Sequence, residues 1–222
     1  MVGDMRATRP QSHELELVIG NMNLSSWSLR PWLALRATGH KFRERKILLD
    51  RPDSRERLRE ASPTGKVPAL IDGELVIWES LAICEALAEW FPEAKLWPAD
   101  VEARAVARSA AYEMHSGFVD LRREMPMNLR ARIERVPSRA VQADIDRVTG
   151  LWLDCRTRYG AGGPYLFGEF SIADCMYAPV VTRFRTYGVE VDPAAQAYCD
   201  VMLARPDMRA WYSGAALETD AD

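Results

Sequence analysis

The sequence is poor in the residues that staple or metallate small proteins. Its four cysteines, Cys84, Cys155, Cys175 and Cys199, are widely spaced and form no C-x-x-C pair, which excludes a dithiol redox centre and a zinc knuckle. They read as small buried hydrophobes, and no metal site is expected. Histidine is scarcer still, at three residues, His13, His40 and His115; with no G-x-S-x-G elbow beside them, a serine hydrolase has little support. No stretch approaches the ~18 consecutive apolar residues of a membrane span, so no membrane partner is expected. Nor is there a surplus of positive charge: 29 Lys and Arg stand against 32 Asp and Glu, a net charge of −3, which argues against a nucleic acid partner. Residues 1–13 carry Asp4, Arg6 and Arg9 and no apolar run. They read as a flexible tail without a secretory signal, and a cytoplasmic location is the expectation.

What is present is the balance of a globular chain. Of 222 residues, 48% are hydrophobic and 27% charged, enough for two modest domains and a core burying roughly 70% of the unfolded surface. From Glu14 the run Leu15-Glu16-Leu17-Val18-Ile19 reads as a mostly buried strand ended by Gly20-Asn21. Leu29, Trp32, Leu33 and Arg36 then recur at helical spacing, so a helix starts near Ser26 to Ser28, with Pro31 tolerated in its first turn. Lys41 to Leu49 reads as a second strand and Asp53 to Ala61 as a short exposed helix. Two apolar runs, Lys66 to Ile71 and Leu75 to Trp78, flank Asp72-Gly73, a strong hairpin signal. Glu79-Ser80 opens a helix carrying Ile83, Leu87, Trp90 and Phe91 and stopped by Pro92. The order is βαβαββα over residues 14–92, an α/β domain.

Residues 99–217 read as an all-helical second domain, with candidate helices over 99–124, 138–159, 172–187, 194–203 and 207–215. Only Tyr165-Leu166-Phe167 reads as a strand there. Ser171-x-x-Asp174 is a capping box, Asp replacing the usual Glu or Gln, and is assigned to folding. The arginines between 130 and 139 are read as a solvated helix end or loop. The tryptophans, Trp27 included, are read as core, as are Met114 and Phe118, which are also candidates to line an apolar pocket.

Four segments carry a resemblance: Ser25-Ser26-Trp27-Ser28-Leu29-Arg30, Pro63-Thr64-Gly65-Lys66-Val67-Pro68-Ala69-Leu70, Glu79-Ser80-Leu81-Ala82-Ile83, and Phe170-Ser171-Ile172-Ala173-Asp174. Their order and spacing over nearly the whole chain resemble the cytosolic glutathione S-transferase superfamily, in particular its serine-type zeta and tau classes. The resemblance implies a thioredoxin-like first domain, an all-helical second domain, glutathione as co-substrate, a small electrophilic substrate bound between the domains, and a homodimer. It places the activating hydroxyl at Ser25, with Ser26 the next candidate. It also implies a cis Pro68 whose neighbour Val67 pairs with the cysteinyl backbone of glutathione, and a Lys66 that reaches the glycyl carboxylate. One departure stands out. Where the zeta class carries a cysteine after the two serines, this chain has Trp27, which turns the expectation from isomerisation toward thiol addition, thiolysis or peroxide reduction.

The same residues have a physical reading of their own. An extended peptide can pair with backbone exposed ahead of a strand; the plain alternative for Pro68 is an edge-strand proline. The N–H groups of a helix start at Glu79-Ser80 favour a carboxylate, and Glu79 suits an ammonium, so together they can hold a zwitterion; the alternative is ordinary capping. A serine hydroxyl at a helix start can donate to a thiolate without losing its own proton. Capping is again the alternative for Ser25, Ser26 and Ser28. At the level of function, the alternative to a transferase is a non-catalytic glutathione-binding or scaffold protein of the same fold.

Overall fold

The computed structural model describes residues 14–49 and 51–218; the tail expected over residues 1–13 lies outside them. The first domain holds β1 (Leu15–Ile19), α1 (Ser26–Ala37), β2 (Phe42–Lys46), α2 (Ser54–Ala61), β3 (Ala69–Asp72), β4 (Leu75–Trp78) and α3 (Ser80–Trp90). The second holds α4 (Val101–Ser116), α5 (Val119–Glu124), α6 (Arg139–Tyr159), α7 (Ile172–Tyr187), α8 (Pro193–Ala204) and α9 (Pro206–Ala216). A single 3-10 turn, Pro92–Ala94, begins the connector between them.

The sheet order is β2-β1-β3-β4. β1 runs parallel to β2 and antiparallel to β3, and β3 and β4 form the hairpin, with Gly73 at φ 61° in its turn. That left-handed geometry favours glycine, which explains why Asp72-Gly73 was legible. β1 is central and buried at all five positions, which requires its one charge to be matched. Glu16 is paired with Arg43 and Arg45 of β2.

α1 packs on α3 and, on its other side, on α7. One hydrophobic cluster therefore runs from β1 through α1 into the helical domain, while a small separate cluster of Val18, Ile47, Ala61 and Ala69 lies on the other face of the sheet. α7 is the pivot of the second domain and is almost wholly buried. Around it Trp152 meets Tyr177, Tyr198 and Phe184 ring to ring at 4.7–5.8 Å.

Four expectations are corrected. Pro31, expected in the first turn of α1, is the sixth residue of the helix and lies in its second turn. The helix expected over 99–124 is two helices: Gly117 ends α4 and Phe118 takes the left-handed conformation at φ 55° before α5 begins. Tyr165–Phe167 forms only isolated bridges to Gly168 and Glu169. Two tryptophans are not core, Trp27 being half-buried and Trp78 exposed. Among the described residues no helix is long and apolar enough to cross a membrane.

Candidate active site

The end of β1 delivers the chain to α1 through a loop that is tied down on every side. Asn21 Oδ1 accepts the Leu49 N–H (2.8 Å), and the N–H groups of Met22 and Asn23 donate to the Glu218 carboxylate (2.6 and 3.0 Å). The Trp211 indole donates to the Met22 carbonyl (2.8 Å). The last turn of the helical domain thus fixes the loop that presents the serines.

Ser25 is the N-cap of α1, accepting the Ser28 N–H at 3.3 Å, so the capping alternative is realised. It does not exhaust the hydroxyl. Ser25 Oγ lies 2.8 Å from Ser28 Oγ, which itself accepts the Gly20 N–H at 3.1 Å. With that acceptor site filled, the Ser28 hydroxyl hydrogen is available to Ser25, whose own hydrogen then remains for a further acceptor. Ser26 Oγ accepts from Arg183 Nη2 at 3.3 Å.

Across from the serines the Val67–Pro68 peptide is cis. Glu79 holds φ 71°, a conformation that costs a non-glycine residue about 1–3 kcal/mol, and its side chain makes no capping bond to α3. The carboxylate is instead left exposed to the site. Beside it the Ser80 hydroxyl, at the first residue of α3, is buried and has no hydrogen-bond partner. An orphaned hydroxyl at a helix N-terminus is fitted to donate to a carboxylate.

Two cavities join these parts. The smaller, about 240 Å³, brings together Lys66, Val67, Pro68, Glu79 and Ser80. The larger, about 700 Å³, reaches Ser25 and Ser26 and shares Trp27, Lys66 and Val67 with the smaller. All seven residues singled out in the sequence therefore line two adjoining cavities. Met114 and Phe118 line neither cavity and are core, whereas Val119 and Met127 supply apolar wall in their place.

Several residues of the cleft were not anticipated. His115, at the end of α4, is the helical domain's contribution to the smaller cavity. Its Nε2 is 3.5 Å from Glu79 Oε2, its ring meets Trp27 edge-on at 5.3 Å, and its Nδ1 is buried without a partner. Burial first, then the charges of Arg30 and Arg122, hold its pKa below the ordinary value against the opposing pull of Glu79. The imidazole is therefore neutral at pH 7.

Beneath it lies a group of three arginines. Arg30 is fully buried, its three side-chain nitrogens have no hydrogen-bond partner among the described residues, and its guanidinium stacks 4.2 Å from the centre of Trp27. Arg183 is also buried and donates only to neutral oxygens, those of Met125, Pro179 and Ser26. Arg122 stacks on Trp27 at 5.5 Å. Burial, then Arg183 and Arg122, pushes the Arg30 pKa down to about 9, and burial, then Arg122, pushes Arg183 down to about 10. Both remain cations at neutral pH. A heptad-like spacing on α4 or α7 marks a face as buried but not what it faces, so only Arg30, within the serine motif, had a signal in the sequence.

The cysteines are bystanders. All four are free and buried, and burial raises Cys155 and Cys199 to about 12 and Cys84 and Cys175 well above their ordinary value. None is a nucleophile.

A thioredoxin-like sheet with a cis proline before its third strand, closed by a helical domain over the first helix, defines a two-domain fold of the thiol-transferase kind. Comparison with known proteins makes this specific. The glutathione S-transferase N-terminal domain family matches residues 24–90 and the glutathione S-transferase C-terminal domain family matches residues 138–213. The chain belongs to the glutathione S-transferase superfamily. A probable maleylacetoacetate isomerase of Caenorhabditis elegans is 28% identical over 76% of this chain and 78% of its own. A stringent starvation protein A homolog of Coxiella burnetii is 29% identical over 63% of each chain, so the chain spans under two thirds of that relative. Among solved structures, a Burkholderia glutathione transferase homolog with bound glutathione superposes with a TM-score of 0.68 at 24% identity, over 92% of this chain and 99% of its own.

Proposed function

We propose that this chain is a serine-type glutathione transferase that binds glutathione in the smaller cavity and presents its thiolate to a small electrophile in the larger one. The observation that carries the reading is that the two cavities adjoin, sharing Trp27, Lys66 and Val67 as walls, with Ser25 lining one and the unpartnered Ser80 hydroxyl the other. Ser80 and the α3 N-terminus take the γ-glutamyl carboxylate, and Glu79 takes the adjacent ammonium. Val67 pairs with the cysteinyl backbone, and Lys66 reaches the glycyl carboxylate. The sulfur then rests by Ser25, whose spare hydrogen donates to it.

Lowering the thiol pKa by about two units takes about 2.7 kcal/mol of preferential thiolate stabilisation. One charge-assisted hydrogen bond together with the α1 N-terminus and nearby guanidinium charge is of that order. The thiol proton is released to solvent on binding. Attack then forms a carbon–sulfur bond as halide leaves an aryl halide with the bonding electron pair, or as the π electrons of an unsaturated carbonyl shift to its oxygen, and rate comes from proximity and from thiolate already formed. With Trp27 in place of a cysteine, addition, thiolysis and peroxide reduction are the reactions that fit. Leu75 and Trp78, exposed on the edge strand β4, go with a homodimer, which sedimentation tests.

Glutathione-dependent turnover of a panel of aryl halides, hydroperoxides and unsaturated carbonyls tests the reading, alongside calorimetric binding of glutathione. Turnover above the uncatalysed rate, with binding weakened about tenfold by Glu79→Gln, supports it. Binding without turnover supports the second reading, a non-catalytic glutathione-binding scaffold. That reading has one specific point in its favour, the relative from Coxiella, whose name states no transferase activity.

A further inference from the structure

The larger cavity has an unusual combination of linings. Its apolar wall includes Val119 and Met127, its cations are Lys66, Arg122, Arg123 and Arg183, and among the described residues no aspartate or glutamate lines it. Arg123 has carboxylate partners in Asp120 and Glu124. Arg183 has none among the described residues and donates only to neutral oxygens. Just behind Trp27, Arg30 stacks on the indole and has no hydrogen-bond partner among the described residues. Arg122 donates to the His115 carbonyl at 3.4 Å and keeps a buried Nε unpaired.

Burying a guanidinium without a counter-charge is unfavourable, and the cost grows when a second and third are brought to the same place. Arg122 feels one carboxylate of the chain, that of Asp144, but Arg30 and Arg183 have none among the described residues, and a fold that keeps these three guanidinium groups together is completed by anions from outside. A glutathione thiolate supplies one negative charge against three cations. The surplus lies on the wall of the cavity that takes the second substrate.

From this we infer that the second substrate is an amphipathic organic anion: an electrophile with an apolar body, seated against Val119 and Met127, and a carboxylate received by Arg122 and Arg183. Trp27, with a guanidinium on it at 4.2 Å and another at 5.5 Å, is the partition between this anion and the glutathione. The inference rests on the glutathione reading and narrows it. For a benzylic chloride the step is a substitution: the thiolate sulfur forms a bond to the benzylic carbon, and chloride leaves with the electron pair of the carbon–chlorine bond.

The test uses matched probes. Turnover of 4-(chloromethyl)benzoate and of its methyl ester with glutathione is compared as kcat/KM over each uncatalysed rate, in the full chain and in Arg122→Gln and Arg122→Lys. The expected result is a preference for the acid of about tenfold or more, lost in Arg122→Gln and largely kept in Arg122→Lys. Because the readout is a ratio within each variant, a general loss of activity cancels. Quenching of tryptophan fluorescence by 2-naphthoate and by 2-naphthamide in the unmutated protein is the second measurement, and tighter binding of the naphthoate, weakening with salt, is expected. Ester turned over as well as acid, or naphthoate bound no better than its amide, overturns the inference while leaving the glutathione reading standing. Failure of the glutathione reading itself shows separately, as absence of calorimetric glutathione binding.

Discussion

Two buried charged regions lie on α7, nine residues apart, and they are built on opposite principles. At the start of the helix Asp174 is fully buried, and every lobe of its carboxylate is used: it accepts from the Leu166 and Ser171 N–H groups, the Ser171 hydroxyl and the Tyr198 phenol at 2.9–3.1 Å. Burial still pushes its pKa up to about 6, with those bonds pulling the other way. Further along, Arg183 stands with Arg30 and Arg122 in a group where, among the described residues, only Arg122 feels a carboxylate, that of Asp144. The first region is finished by the chain and has a structural role. The second is left unfinished at the wall of a cavity, and that is where a ligand belongs.

The comparison is sharpest in what substitution does to stability. Asp174→Ala leaves two N–H groups and two hydroxyls without their acceptor and is expected to cost about 3–5 kcal/mol. Thermal unfolding reads this as a fall in Tm of roughly 6–20 °C. An unchanged Tm would mean the region is not the finished node described here. Next in size is Ser25→Ala. Loss of a donor to developing or formed anion lowers kcat/KM by about 10²-fold, while loss of the helix cap costs about 1 kcal/mol. Ser26→Ala keeps the Ser28–Ser25 relay and is expected to lose less activity than Ser25→Ala, which paired kinetics would establish.

At the arginine group the sign reverses. Arg30→Met removes an unpaired buried charge for an apolar chain of similar reach, and the unliganded protein is expected to be as stable or more stable by about 1–2 kcal/mol, with activity reduced. A fall in Tm comparable to that of Asp174→Ala would erase the contrast. The smallest effect is on pH dependence. His115 is neutral at pH 7 because its pKa is held below the ordinary 6.5 or so. On acidification it takes a proton 3.5 Å from Glu79, facing Arg30 and Arg122 as its other charged neighbours. The new cation competes with the γ-glutamyl ammonium, so glutathione affinity falls as pH drops below the ordinary value. His115→Gln is expected to flatten that fall by a few-fold, as calorimetry across pH would show.

Much of the fold was legible because its signals are local. Asp72-Gly73 fixed the hairpin, Pro92 and Pro193 marked helix limits, and the alternation of β1 and its short polar loop pointed to the strand–helix passage at Ser25. The first-domain half of the cleft was legible for the same reason, since Ser25, Lys66 to Pro68 and Glu79-Ser80 sit in contiguous motifs at element ends. The second-domain half was not. His115, Arg122 and Arg183 come from three helices, and helical period shows that a side chain turns inward without showing what it meets. The sequence drew attention instead to the arginines between 130 and 139, where Arg130 donates to the Glu218 carbonyl and Arg132 to those of Leu129 and Ala131. Trp27 misled for a related reason: a large indole reads as core from its residue type alone, and only the stacked guanidinium groups reveal it as a wall of the cleft.

The account depends on a sulfur anion forming beside Ser25, and the direct measurement is the ultraviolet thiolate absorbance of glutathione titrated over pH on the protein. Free thiols of this kind titrate near 8.5. The bound thiol is predicted to titrate about two units lower, with S-methylglutathione giving no signal. A bound glutathione that titrates as it does in water would contradict the account at its centre.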